Sequence, residues 1–284
     1  MLLTSVVLIL QETLEASLLV AILAVATLQT GHRLSWLPWG FLAGCALGFV
    51  YASNLQRVSE WFDYVGQELT NAALQLTIAV AIVLLAWLVV RSHARRGTGG
   101  TTDGDAADGA GVQPSGPPAV LFALLCALTI MLAITREGSE IMVYLGGFLG
   151  QDDKVQAVLI GSALGFGIGV SVGLLAFYGL LALGRRRGRW VPVALLALFS
   201  GNMLAQSALQ LTQADWLQAG PTLWDSSAWL PEQSIAGHLL YALLGYESTP
   251  SLAQALAYLA GVAAVAVAGL VAALVTPRTE RRTP

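Results

Sequence analysis

Long apolar runs separated by short polar stretches set the pattern of this chain. Seven of them have the roughly 17–25 residues that a helix needs to cross a bilayer. They lie near 2–28, 36–54, 70–91, 119–149, 155–183, 191–211 and 251–275. Between the third and fourth, residues 97–118 are Gly, Thr, Asp, Ala and Pro without apolar periodicity, which predicts a flexible linker. The stretch 212–250 holds Trp216, Trp224, Trp229, Tyr241 and Tyr246, types suited to a membrane interface. Within it, Ser234 to Leu244 predicts a short helix lying at the membrane surface or dipping into it; an ordered loop with surface aromatics is the alternative reading. The expected architecture is an all-α polytopic membrane protein of seven spans.

The pattern also repeats. A shift of 125 residues carries Glu12 and Glu15 onto Glu137 and Glu140, and Gly40, Gly44 and Gly48 onto Gly165, Gly169 and Gly173. The third and sixth spans carry Asn71-x-x-x-Gln75 and Asn202-x-x-x-Gln206. Residues 1–96 and 119–211 therefore read as two three-span repeats. They are followed by the segment 212–250 and by 251–284, a seventh span with its tail. An odd number of spans per repeat inserts the halves with opposite orientation, an architecture of transporters. Small-x-x-x-small ladders taken singly are also common helix-packing devices.

Charge orients the spans. With the N-terminus outside, inner segments hold Arg33; Arg91, Arg95 and Arg96; Arg185, Arg186, Arg187 and Arg189; and Arg278, Arg281 and Arg282. Outer segments hold Arg57 and Lys154. Eleven against two predicts an N-out, C-in topology. The segment 212–250 is then outside; it carries Asp215, Asp225, Glu232 and Glu247 but no Lys or Arg. No positive charge precedes the first run and two glutamates interrupt it, so it reads as a retained helix rather than a cleaved signal. Composition agrees with a membrane protein: charged residues make up 11% of the 284, against about 25% in typical proteins, and the mean hydropathy is +0.70. A net charge of −3 gives no reason to expect nucleic acid as a partner. Cys45 and Cys126 sit inside apolar runs and suggest neither a disulfide nor a thiolate site.

The chemistry lies in two Glu-x-x-Glu pairs inside apolar runs. Residues three apart share a helix face, so Glu12 points with Glu15, and Glu137 with Glu140. An ionised side chain at the bilayer centre costs about 3 kcal/mol even on the milder scales. Four carboxylates there need protons, Arg136 or a bound cation. Carboxylates suit hard cations. Because ligands must lose protons, metal binding should weaken as pH falls. Arg136 lies one turn before Glu140 and is placed to pair with it. Asn71, Gln75, Asn202, Gln206 and Gln210 either line the same cavity or hydrogen-bond between helices. Glu68 is either a carboxylate at the outer mouth or an ordinary interfacial charge. His32 and His93 fall at helix ends or loops and His238 in the outer segment.

These residues resemble a known family. Arg136-Glu137-Gly138-Ser139-Glu140 is similar to the Arg-Glu-Gly-Leu-Glu motif of the iron permeases, which include the yeast-type permease that works with a multicopper ferroxidase and the bacterial EfeU type. Gln11-Glu12-Thr13-Leu14-Glu15 resembles the first-helix copy. Trp224-Asp225-x-Ser227-Ala228 and Gly245-Tyr246-x-x-x-Pro250-Ser251 resemble the stretch before the last helix of the EfeU type. The resemblance implies iron as transported substrate, Glu12, Glu15, Glu137 and Glu140 as the metal site, and Arg136 as the motif arginine. It also implies a plasma-membrane location (the inner membrane in a Gram-negative cell) and a periplasmic or extracellular oxidase or iron-delivery partner. The chain departs from the family at Gln11, where an arginine is expected, and at Thr13, where a glycine is. Fully ionised, the site would carry −3 rather than −2. Iron import is the leading expectation, with lead or manganese as other cations. A membrane carboxylate di-metal oxidase is a second reading, although such sites use Glu-x-x-His and no histidine stands at that spacing. A non-transporting assembly subunit is a third. No nucleotide-binding motif is present, so any energy would come from ion gradients, the membrane potential or a partner.

Overall fold

The computed structural model describes residues 1–96, 119–148, 151–183, 190–231 and 234–275. The expected linker 97–118, Arg185 to Arg187, Arg189, Glu232 and the tail with Arg278, Arg281 and Arg282 lie outside the described residues. Among the described residues the chain is helical: α1 (Leu2–Gln29), α2 (Trp36–Ser53), α3 (Leu55–Ser59), α4 (Gly66–Arg96), α5 (Ala119–Gly146), α6 (Asp152–Ala182), α7 (Val191–Gln213), α8 (Ile235–Leu244) and α9 (Leu252–Val275). All but α3 and α8 are long and apolar enough to cross a membrane, seven in number. They are the seven runs read from the sequence, with ends shifted by a few residues. The largest shift is in α4, which begins at Gly66 rather than residue 70 and so brings Gln67 and Glu68 into the helix.

Two close helix pairs build the bundle: α1 against α6 and α2 against α5, with α4 packed on α7 and α9. Lipid tails are as apolar as leucine, so contact quality rather than the hydrophobic effect holds such helices together. The glycine ladders supply that contact. A Cβ placed on Gly165 would stand 2.5 Å from the Val6 carbonyl oxygen, and one on Gly44 2.7 Å from Ile134 Cβ. At these contacts hydroxyls donate across the pair, Ser17 Oγ to the Gly169 carbonyl at 3.0 Å and Thr135 Oγ1 to the Gly44 carbonyl at 3.4 Å. The ladders are therefore packing surfaces. Gly165→Ala forces backbone against backbone and is expected to destabilise by about 1–3 kcal/mol. Gly138, inside the acidic motif, has nothing within 4 Å of where a Cβ would lie. Gly138→Ala should thus cost no packing and gain up to about 1 kcal/mol of helix propensity. Thermal unfolding in detergent micelles separates the two, and equal losses would contradict this reading of the ladders.

The face at which α1 begins is called the upper face. α2, α5 and α7 end there, and α4, α6 and α9 begin there. The segment after α7 folds over it, tied by a bridge between Thr222 and Ser251 and by Tyr246, whose hydroxyl donates to the Leu230 carbonyl and contacts Ser226 Oγ. Trp216, Trp224 and Trp229 are exposed, as an interfacial belt requires, but Tyr246 is held inside the segment by those bonds. α8 is capped by Ser234, whose Oγ accepts from the Gly237 amide, and it packs against α1 and α7 rather than resting on the surface.

Candidate metal site

α1 and α5 run antiparallel, and α1 places Glu15 near its middle. Glu12 and Glu140 lie nearer the upper face; Glu15 and Glu137 lie deeper. Glu12, Glu15, Arg136 and Glu137 are 7%, 3%, 6% and 4% exposed, whereas the Glu140 side chain is 37% exposed. All four carboxylates read from the sequence are thus brought to one place.

Arg136 bridges three of them. Its Nη1 donates to Glu137 Oε1 at 2.7 Å and stands 3.5 Å from Glu15 Oε2, and its Nη2 lies 3.5 Å from Glu140 Oε1. The expected pairing with Glu140 is present, together with two more that include a second helix. A planar, always-charged guanidinium suits such a multivalent role better than an ammonium. Glu12 lies within electrostatic reach of Glu137 and Glu140. Two ionised carboxylates are acceptors only and cannot bond each other. Glu12 Oε2 and Glu137 Oε2 are buried without a hydrogen-bond partner.

Around Glu15 the amides form a chain. Gln75 Nε2 donates to Gln206 Oε1 at 2.9 Å, and Gln206 Nε2 reaches Asn202 Oδ1 at 3.2 Å and Glu15 Oε2 at 3.5 Å. Gln75 and Gln206 therefore hydrogen-bond between helices, Gln206 also touches the cluster, and the Gln206–Asn202 bond lies within α7. Asn71 takes the other role: with Gln210 it lines a cavity, and it accepts from the Tyr51 hydroxyl at 3.1 Å.

That cavity, about 470 Å³, lies between α1, α2, α4, α5 and α7 towards the upper face. Glu12, Glu68 and Glu140 line it, as do Tyr51, Gln67, Ser139 and Tyr144. Glu68 is thus a cavity carboxylate, and its Oε2 is buried without a hydrogen-bond partner. Below the carboxylates the bundle is filled by buried Leu18, Leu19, Ile22, Leu85, Phe122, Ile130, Leu196 and Phe199. Gln11 is half-buried and sits where the repeat would offer a second arginine. Among the described residues, no three His, Cys, Asp or Glu side chains form a ready metal cage. The guanidinium contacts carboxylate oxygens that a cation would need. Cys45 and Cys126 are free thiols. His32 stacks on Phe122 at 5.0 Å, some 25 Å along the helix axis from Glu15 by helix rise.

Tyr51, Tyr144, Gln67 and Ser139 were not legible in the sequence as site residues. Single polar residues near helix ends carry no spacing signal. On the upper face Asp225 accepts from the Ser227 amide at 2.9 Å and Oγ at 2.6 Å, which holds its carboxyl below the usual range. It therefore takes up its proton at a lower pH than an unbonded aspartate would.

Seven helices long and apolar enough to cross a membrane mark a multi-pass membrane protein. The chain belongs to the iron permease FTR1 family, whose model matches residues 2–282. It is 25% identical over 261 residues to the ferrous iron permease EfeU of Escherichia coli O6:H1, covering 87% of each chain. It is also 25% identical over 260 residues to a putative inactive ferrous iron permease EfeU of Escherichia coli K12, covering 86% of this chain and 87% of that one. With an uncharacterized Synechocystis protein it shares 27% identity over 155 residues, about half of either chain (46% and 48%). No solved structure matches.

Proposed function

We propose that this protein imports iron through a site formed by Glu12, Glu15, Glu137 and Glu140. The observation that carries the proposal is the position of the cluster: two Glu-x-x-Glu pairs, with Glu12, Glu15 and Glu137 buried, joined by one arginine at the foot of a cavity reaching from the upper face. Family membership alone would not suffice, since one relative is described as putatively inactive. Hard oxygen donors fit a hard cation, and nothing found favours lead, manganese or a di-metal oxidase over iron.

The upper face is the outer one in this proposal, so the cell's plasma membrane is crossed with the N-terminus out and the C-terminus in. Arg57 and Lys154 lie on the upper side of the spans and Arg33 and Arg91 on the lower, which supports that orientation. Two inverted repeats are supported by the helix pairing. Exchanging the first three spans for the next three turns the α1–α6 contact into the α5–α2 contact and leaves α4–α7 in place.

A cation enters past Glu68 and meets Glu12 and Glu140 first. It competes with Arg136 for carboxylate oxygens. An outer oxidase or iron-delivery protein would act before this step. Glu68→Gln removes a charge at the mouth without touching the buried cluster. It is expected to raise the half-saturating metal concentration roughly two- to tenfold at low salt with little change in maximal uptake, the signature of lost electrostatic steering. A titration of iron binding at low and high salt checks it, and an equal effect at both would refute the steering role.

A further inference from the structure

We propose that the packed plug below the carboxylates, built on Leu18, Leu19, Ala79, Ile82 and Phe199, is the closed inner gate of the transport path. It opens into a lower cavity when the upper one closes. The inference rests on the import route and the two inverted repeats proposed above, and it adds the residues of the exit half.

The repeat relation fixes which positions exchange. A shift of 131 residues carries Asn71 and Gln75 on α4 onto Asn202 and Gln206 on α7. Gln75 and Gln206 are hydrogen-bonded to each other at 2.9 Å, so the axis relating the halves passes through that bond. Glu15 and Glu140 are mates under the shift of 125 residues, and Arg136 stands 3.5 Å from each. About this axis, residues of the upper cavity exchange with residues below the carboxylates. Tyr144 exchanges with Leu19, Val143 with Leu18, Glu68 with Phe199, Gln210 with Ala79 and Gln213 with Ile82. The first of each pair lines the cavity, and the second is packed in the hydrophobic core. One half-path is open and its mate is filled.

A cation at the carboxylates therefore has no route down in this state. On the lower side it meets Leu18, Leu19 and Phe199, which are 3%, 2% and 2% exposed. Inverted-repeat transporters pass such a barrier by rocking one repeat against the other around a fixed site. Exchanging the conformations of the two repeats fills the upper cavity and opens the plug. The two half-paths then differ in chemistry. The upper wall carries Glu68, Gln210 and Tyr144, whose oxygens suit a hard cation. The lower wall is leucine, isoleucine, alanine and phenylalanine, with no side-chain oxygen to hold a cation once it leaves the carboxylates. The exit half discharges rather than stores.

The test is thiol labelling of the purified full chain in detergent, with Cys45 and Cys126 replaced by alanine. Ala79→Cys and Leu18→Cys probe the plug, and Gln210→Cys probes the cavity mate of Ala79. Ala72→Cys is the control on α4: Ala72 is 1% exposed, and neither it nor its mate Met203 lines the cavity. The plug cysteines are expected to react at roughly 0.1–10% of the Gln210→Cys rate, the population range of a minor state, and Ala72→Cys more slowly than either. Adding Phe199→Gln should raise the Ala79→Cys rate about tenfold, because a buried polar group without a partner favours the state that wets it. Plug cysteines that react no faster than Ala72→Cys, or an Ala79→Cys rate that Phe199→Gln leaves unchanged, overturn the gate. Ala79→Cys exchanges one small side chain for another and keeps the test open should Leu18→Cys or Phe199→Gln fail to fold. Labelling is read without iron. Its failure in a protein that binds iron overturns the gate and leaves the carboxylate site standing, whereas a protein that binds no iron overturns that site while the labelling still decides the gate.

Discussion

Arg136→Ala is expected to be among the most damaging single substitutions in this chain, costing about 3–5 kcal/mol as a broken buried charge network does. The guanidinium touches Glu15, Glu137 and Glu140. Without it, no positive side chain among the described residues is paired with these carboxylates. They must then take up protons or bind a cation. Two rescues follow. Lower pH protonates the orphaned carboxyls, and a saturating divalent cation replaces the missing charge. Thermal unfolding in detergent should therefore show a large loss at pH 7, a smaller loss at pH 5 and partial recovery with metal. Arg136→Lys restores a point charge but not the fork that spans three carboxylates, and should fall between. An Arg136→Ala protein as stable as wild type at pH 7 would mean that the bridge contributes nothing.

The second large effect is on function rather than folding. Glu15→Gln and Glu137→Gln keep the size and a hydrogen-bonding oxygen but remove one negative charge each. Arg136 retains other partners in either variant, so both should fold, and their stability should hold or rise. Metal affinity should fall at least about tenfold for each, or 1.4 kcal/mol. Isothermal titration with iron, beside the same unfolding assay, reads both quantities. The assembly-subunit reading predicts the unchanged or improved stability but no loss of affinity, because it gives the carboxylates no ligand. Gln11→Arg is the complementary variant. It adds a cation to a site already bridged by one arginine and should weaken metal binding while tightening the cluster.

The sequence was most informative where a signal was local. Span positions follow from runs of apolar residues, and the four carboxylates from their three-residue spacing. Arg136 and Glu140 were paired by helix geometry alone. What crossed between helices was not visible. The Arg136–Glu15 bridge joins α5 to α1, and no spacing within either helix encodes it. Glu68 stood at the edge of an apolar run, so hydropathy could not tell a first helical turn from a loop. The result is that α4 starts one turn early and Gln67 and Glu68 face the cavity. Aromatic composition alone places Tyr241 in an interfacial belt. The tight contact of Gly245 with Asn202 instead draws α8 into the bundle. The glycine ladders showed that helices pack closely, but not that α1 meets α6 and α2 meets α5.

The most direct test of the central claim is uptake of ferrous and ferric iron into liposomes holding the purified protein, measured across pH. Wild type is run beside Glu12→Ala and Glu140→Ala, with manganese and lead as competitors. The carboxylates must shed protons to bind metal. Saturable iron uptake is therefore expected in wild type, falling as the pH on the entry side drops and absent in both variants. Uptake undiminished in the two folded variants would contradict a route through the Glu-x-x-Glu cluster.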